Sequence, residues 1–169
     1  MSELIDYIDD QIKSCIPECY QYGLCHLLIG DNGTFPATVE KNAKKVSFDD
    51  RYEIVTYHRL LNGSPDPRED ASFGKTVTVQ NNQRVRLVIA TKLDSDDARI
   101  DDIINAMPDS FEMDDYEFVN VSKNISLIRD RESVWDIEFP QAYRDKYQMK
   151  WNLYAVEYDL KYIKCNVCV

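Results

Sequence analysis

The chain has 169 residues, 44% of them hydrophobic and 11% aromatic, enough for a single domain over 1–169 whose core needs no disulfides. Its formal net charge of −10 disfavours sequence-neutral binding to phosphate backbones, because the cations are few and gather only weakly, at Lys41, Lys44 and Lys45 and at Arg84 and Arg86. No apolar run approaches the ~20 residues of a membrane-spanning helix, so no membrane contact is expected. The longest such run, Leu24 to Ile29, contains His26. Met1 to Asp6 is acidic and lacks a signal-peptide pattern, which points to synthesis in the cytoplasm. Five cysteines is an odd number, so free thiols in a reducing compartment are expected rather than a disulfide framework.

The first element reads as a helix: Ser2 can cap it, and Leu4, Ile5, Ile8, Ile12 and Cys15 recur at helical spacing until Pro17. Gly23 then releases a short strand, Leu24 to Ile29, and Asp31-Asn32-Gly33 signals a turn. A short strand is expected about Ala37–Val39 and a longer one over Arg51–Leu61. Residues 62–74 carry Gly, Pro and charge without an apolar period and read as an exposed loop. Thr76–Val79 and Arg84–Leu93 read as two strands, the second placing Val85, Leu87 and Ile89 on one face.

Ser95 opens the best-defined helix. Asp96 and Asp97 complement its dipole, Ile100, Ile103, Ile104 and Met107 form one stripe, and Pro108 stops it. Asp109 to Asp115 reads as acidic and exposed, and Tyr116–Val121 as a strand continuing through Ile125–Ile128. Residues 129–150 interleave large apolar groups with charge and read as a protruding arm. Trp151 to Cys165 closes the chain as a strand with Tyr154, Val156, Tyr158, Leu160 and Tyr162 on one face. Two helices among about six strands imply an α+β fold, a mostly antiparallel sheet covered on one face by the two helices.

Catalytic patterns are weak. His26 and His58 are the only histidines, and the bland reading of His58 is a hydrogen-bonded strand residue. The five glycines form neither a P-loop nor a dinucleotide fingerprint. Pro108-Asp109 with Asp159-Leu160-Lys161 loosely satisfies a metal-dependent nuclease pattern, against which the net charge speaks. Cys165-Asn166-Val167-Cys168 has zinc-knuckle spacing, with Cys15, Cys19, Cys25 and His26 as conceivable partners, yet buried structural cysteines are the commoner outcome. No enzyme activity, metal or cofactor is therefore expected. Asp94 to Asp115 holds nine acidic residues against one basic residue, Arg99. Asp96, Asp97, Asp101, Asp102, Asp109, Asp114 and Asp115 make this an acidic face, suited to solvent or to DNA that must pass without sticking.

The stretch Asp50 to Gly74, with Tyr57-His58-Arg59-Leu60-Leu61-Asn62 and Phe73-Gly74, is followed by a Gln80-Asn81 turn, the Arg86–Leu93 strand, an acidic helix ended by Pro108, the arm and the Trp151–Cys165 strand. That order resembles a family of bacteriophage structural proteins from phages and prophages of gut Bacteroidota, similar in layout to tail-terminator and head–tail connector proteins. The resemblance implies a homo-oligomeric ring of about six or twelve copies at the neck or tail of a virion. It implies adjacent neck and tail proteins as partners and DNA only as passing cargo. The arm would supply the protein interface through Arg129, Arg131, Trp135, Phe139, Tyr143, Arg144 and Tyr147, aromatic and arginine anchors of the kind interfaces use. The alternative is a small protein-binding or regulatory domain that takes zinc through its cysteines.

Overall fold

Apolar residues at intervals of three and four make the first helix, α1 (Ser2–Cys15), and bury Leu4, Ile5, Ile8 and Ile12 completely. The computed structural model describes residues 1–30, 33–39, 44–48, 51–67, 79–92, 98–124, 126–129, 133–134 and 151–164. Ser2 makes no side-chain cap bond; Met1 occupies the cap position, and Cys15 is exposed at the far end. Next come β1 (Cys19–Gly30), β2 (Gly33–Thr38), β3 (Ile54–Pro67), β4 (Val79–Lys92), α2 (Ala98–Ala106), β5 (Ser110–Met113), β6 (Tyr116–Lys123) and β7 (Trp151–Lys164). The strands form one sheet in the order β2-β1-β3-β4-β7-β6-β5. Only β1 and β3 run parallel; every other neighbouring pair is antiparallel. The expected α+β architecture with a mostly antiparallel sheet is what the structure has.

Both helices lie on one face, over Ile54 of β3, Val85, Leu87 and Ile89 of β4, and Tyr154, Val156, Tyr158 and Leu160 of β7. Of the α2 stripe, Ile100 and Ile103 are buried with Met107, whereas Ile104 is only half-buried at the rim. Lys123 of β6 closes α2, donating its Nζ–H to the Met107 carbonyl at 2.8 Å and pairing with Asp109 at 2.9 Å.

The opposite face carries a second core that the alternation in β7 does not announce. Trp151, Leu153 and Ala155 pack there with Val88 and Ala90, Val55 and Tyr57, beneath Val46, Phe48 and Val134. The covering segment is fastened by the Tyr22 hydroxyl, which donates to the Ser47 carbonyl at 2.9 Å, and by Lys44 Nζ, which donates to the Tyr20 hydroxyl at 2.8 Å. Arg86 donates to Glu157 and to the carbonyls of Ser133 and Val134, holding the start of the 129–150 segment against this face.

Several expectations are corrected. The loop expected over 62–74 does not begin at 62, since β3 continues to Pro67 opposite Val79; residues 68–74 lie outside the described residues. Two prolines survive in that strand because they sit two residues apart, with their missing N–H groups on the same side, and β1 has already left that side after Arg59. Gln80 and Asn81 are not a turn. They pair with Asp66 and Pro65 on one side and with Ile163 and Tyr162 on the other, so β4 is one strand from Val79 onward. Asp109 to Asp115 is not a plain exposed acidic loop: it contains β5, whose Phe111 is buried and stacks on Tyr7 of α1 at 4.3 Å. β6 ends at Lys123; beyond it the Asn124 N–H still donates to the Glu157 carbonyl of β7 at 2.8 Å, and Ile128 meets Ala155 in an isolated bridge rather than in a continued strand. β1 starts at Cys19, ahead of Gly23, which lies inside the strand.

Ile103→Ala is expected to lower the unfolding free energy by about 2–5 kcal/mol, and Ile104→Ala by clearly less. Denaturant unfolding of the two variants checks this; an equal or larger loss for Ile104→Ala would show that α2 is rotated relative to the sheet.

Candidate functional site

Asp9 falls on the apolar stripe of α1, one turn from Ile5 and from Ile12, so the helix carries a carboxylate into the core. His58 takes the corresponding place on β3, two residues from Thr56 and four from Ile54 on the helical face. Asp9 and His58 meet at 3.0 Å through Oδ1 and Nε2, and His58 Nδ1 lies 2.7 Å from the Tyr158 hydroxyl of β7. Their exposures are 5%, 0% and 1% in the order Asp9, His58, Tyr158, so each polar atom must find its partner inside the protein. The assignment that satisfies all three has Tyr158 O–H donating to Nδ1 and the ring's Nε2–H donating to Asp9. Burial first, and the Asp9 charge second, push the Tyr158 hydroxyl well above the usual tyrosine range. His58 is thus the hydrogen-bonded strand histidine expected of it, with both nitrogens engaged and no surface toward solvent.

Sequence reasoning missed Asp9. The available signal was an aspartate on the buried stripe of an amphipathic helix, together with a histidine at alternate spacing from an apolar strand residue. A buried acid of that kind requires a partner.

Beyond Asp9 a cleft of about 560 Å³ opens, lined by Asp6, Asp9 and Asp10 of α1, Gln21 to Leu24 of β1, and Thr38 and Val39. Gln21 donates from Nε2 to the Asp9 carbonyl at 2.6 Å. Gly23 has φ +68°, a backbone conformation that L side chains rarely adopt, and it marks the register shift between Gln21 and Leu24 in the β1–β3 ladder. A Cβ at this position would stand 3.7 Å from Asp6 Oδ1 and 3.9 Å from Asp9 Oδ2, so the glycine keeps backbone and carboxylates close without filling the space between them.

The other candidate residues are dispersed. Cys19 belongs to the core under the helices and Cys25 to the core on the opposite face, while Cys15 is exposed, so these three do not converge on one ion. Cys165 and Cys168 lie outside the described residues, and among those described no group of three or more His, Cys, Asp or Glu side chains could hold a metal. The loose nuclease pattern is not assembled: Asp109 pairs with Lys123, whereas Asp159 pairs with Arg84 at 3.1 Å on the face away from the helices. Asp101, Asp102, Asp109, Asp114 and Asp115 are exposed; Asp96 and Asp97 lie outside the described residues. So do Arg131, Trp135, Phe139, Tyr143, Arg144 and Tyr147, and with them most of the arm. Arg129 is exposed, its guanidinium 5.8 Å over the Tyr154 ring. Arg84 and Arg86 each pair with an acid, and Lys44 and Lys45 lie over aromatic rings, whereas Lys41 lies outside the described residues. No helix among the described residues is long and apolar enough to cross a membrane.

Comparison with protein-family models, with curated proteins and with solved structures gives no match to this chain.

The two buried thiols set an alkaline limit on stability. Burial pushes Cys19 up to about 11 and Cys25 up to about 12, from an ordinary value of 9.0. Once the pH exceeds that ordinary value, the unfolded chain loses these protons while the folded chain keeps them, so the unfolded state binds fewer protons and stability falls as pH rises. The contribution is fully present below about pH 9 and is lost on the way to pH 12. Denaturant midpoints measured across this range should fall less steeply for Cys25→Ala than for the parent chain; an identical slope would contradict the burial of that thiol.

Proposed function

We propose that this chain is a non-enzymatic structural protein of a bacteriophage virion, joining copies of itself into a ring at the neck or tail around the DNA conduit. The observation that carries the assembly reading is a patch on the sheet face away from the helices. There Phe118 of β6 is 47% exposed, beside Asn120 and Ser122 and the β7 residues Lys161, Tyr162 and Ile163, around a shallow depression of about 420 Å³. An aromatic side chain left out of both cores and rimmed by polar groups has the make-up of an interface centre. Arg86 supports the same reading by bonding the carbonyls of Ser133 and Val134, just ahead in sequence of Trp135, Phe139, Tyr143, Arg144 and Tyr147, which in this reading meet neighbouring proteins.

Exposed carboxylates at Asp101, Asp102, Glu112, Asp114 and Asp115 gather around α2 and β5. Repeated around a ring they would repel a polyanion passing within ~8 Å, the screening length at physiological salt, and so favour sliding over capture. In this reading DNA is cargo and adjacent neck or tail proteins are the binding partners.

Mass photometry and light scattering of the purified chain test the proposal. Discrete multimers are expected, with a shift to monomer for Phe118→Glu at unchanged melting temperature. A chain that remains monomeric at tens of micromolar, or that binds duplex DNA with micromolar, salt-sensitive affinity, would overturn it.

A further inference from the structure

Two apolar surfaces lie toward opposite edges of the sheet. Among the described residues the large hydrophobic side chains left exposed are Val39, at 49%, and Phe118, at 47%. Val39 follows β2, the strand at one edge, and donates its N–H to the Leu24 carbonyl of β1 at 3.0 Å. Phe118 belongs to β6, next to the other edge. The order β2-β1-β3-β4-β7-β6 puts five strand spacings between them, roughly 24 Å at about 4.8 Å per spacing. Neither side chain can cover the other within one chain.

Val39 stands beside a gap in the sheet. The parallel ladder of β1 and β3 runs from Cys19 opposite Ile54 to Cys25 opposite Arg59; beyond it β1 pairs with β2 and β3 with β4. A depression of about 370 Å³ occupies this fork, and Leu24, Leu27 and Leu60 line it together with Val39. Phe118 lies on the face away from the helices, opposite the half-buried Ile163 of β7.

Charge separates the two surfaces. Lys161 is exposed beside Phe118, two residues from Ile163 on the same face of β7. On the Val39 side, α1 presents the exposed Asp10 across a cleft that Val39 also lines. Asp6 and Arg59, which border this side as well, have partners within the chain. A two-fold contact of Phe118 on Phe118 would bring Lys161 toward Lys161, and one of Val39 on Val39 would bring Asp10 toward Asp10. The crossed contact brings unlike charges together. It is also the contact a ring needs, because a surface that meets a different surface repeats around a circle, whereas a self-complementary one closes at two copies.

We propose, resting on the ring reading above, that neighbouring copies join head to tail: Val39, Leu24, Leu27 and Leu60 of one copy dock on the Phe118–Ile163 surface of the next.

Sedimentation velocity on two variants and their mixture tests this contact. Phe118→Glu and Val39→Glu are each expected to be monomeric alone, at unchanged melting temperature because both side chains are about half exposed. Each variant keeps the surface that the other has lost. An equal mixture is therefore expected to form a one-to-one dimer of twice the monomer mass, and nothing larger. The mixture is measured up to about 100 µM, since a single open contact lacks the avidity of a closed ring. Val39→Gln, which adds no charge beside α1, replaces Val39→Glu should that variant unfold. Multimers of the Val39 variant equal to those of the parent chain would overturn this contact and leave the ring to another surface. A mixture that stays monomeric overturns it too, and a parent chain that is itself monomeric overturns both the contact and the ring.

Discussion

A carboxylate carried into the core by a helix has to be answered, and the answer organises this fold. Asp9 is met by His58 of β3, and His58 by Tyr158 of β7, so a single chain of hydrogen bonds ties α1 to two strands separated in the sheet by β4. Each link is specific in angle and distance, unlike the isoleucine contacts around it, and each would leave a buried group unpaired if the helix slid by one turn. The isoleucines Ile5, Ile8 and Ile12 each contribute hydrophobic stabilisation on the order of 1.5–3 kcal/mol. The polar chain supplies the register.

That register has consequences at the helix surface. Holding Asp9 inward sets Asp6 and Asp10 beside β1, where Gly23 alone allows the strand to bulge without a side chain in the cleft. The same bulge leads to the point at which β1 leaves β3. The tether, the acidic cleft and the fork between the parallel strands therefore follow from one arrangement of α1 on the sheet. The face away from the helices is organised differently, by large rings: Trp151 tilts against Phe48 at 5.6 Å, and Tyr20 stacks on Tyr52 at 4.2 Å. Its remaining area, around Phe118, stays outside both cores.

Much of the fold is legible in the sequence wherever one periodicity dominates. α1, α2 and β7 can be read from single apolar stripes, and the α+β class from the ratio of helices to strands. Legibility fails where two effects compete. Pro65 and Pro67 look like loop residues, yet β3 accommodates both because one of its sides has no strand partner there among the described residues. Gln80 and Asn81 look like a turn, but β7 and β3 on either side hold them extended. The second core escapes notice because Trp151, Leu153 and Ala155 occupy the positions that alternation in β7 assigns to solvent. At the candidate site His58 is legible as a satisfied strand histidine, but its partners are 49 and 100 residues away, and no local pattern brings them together. The cleft depends on the backbone at Gly23, which in sequence reads only as a strand start.

A double-mutant cycle between Asp9→Asn and Tyr158→Phe, read by denaturant unfolding, tests the tether directly. Asp9 and Tyr158 bond to opposite nitrogens of one ring, so the cycle is expected to show a coupling within about 0.5–3 kcal/mol, the range for members of one hydrogen-bond network. Additive losses would mean that the two bonds act independently and that His58 does not join α1 to the sheet as a unit.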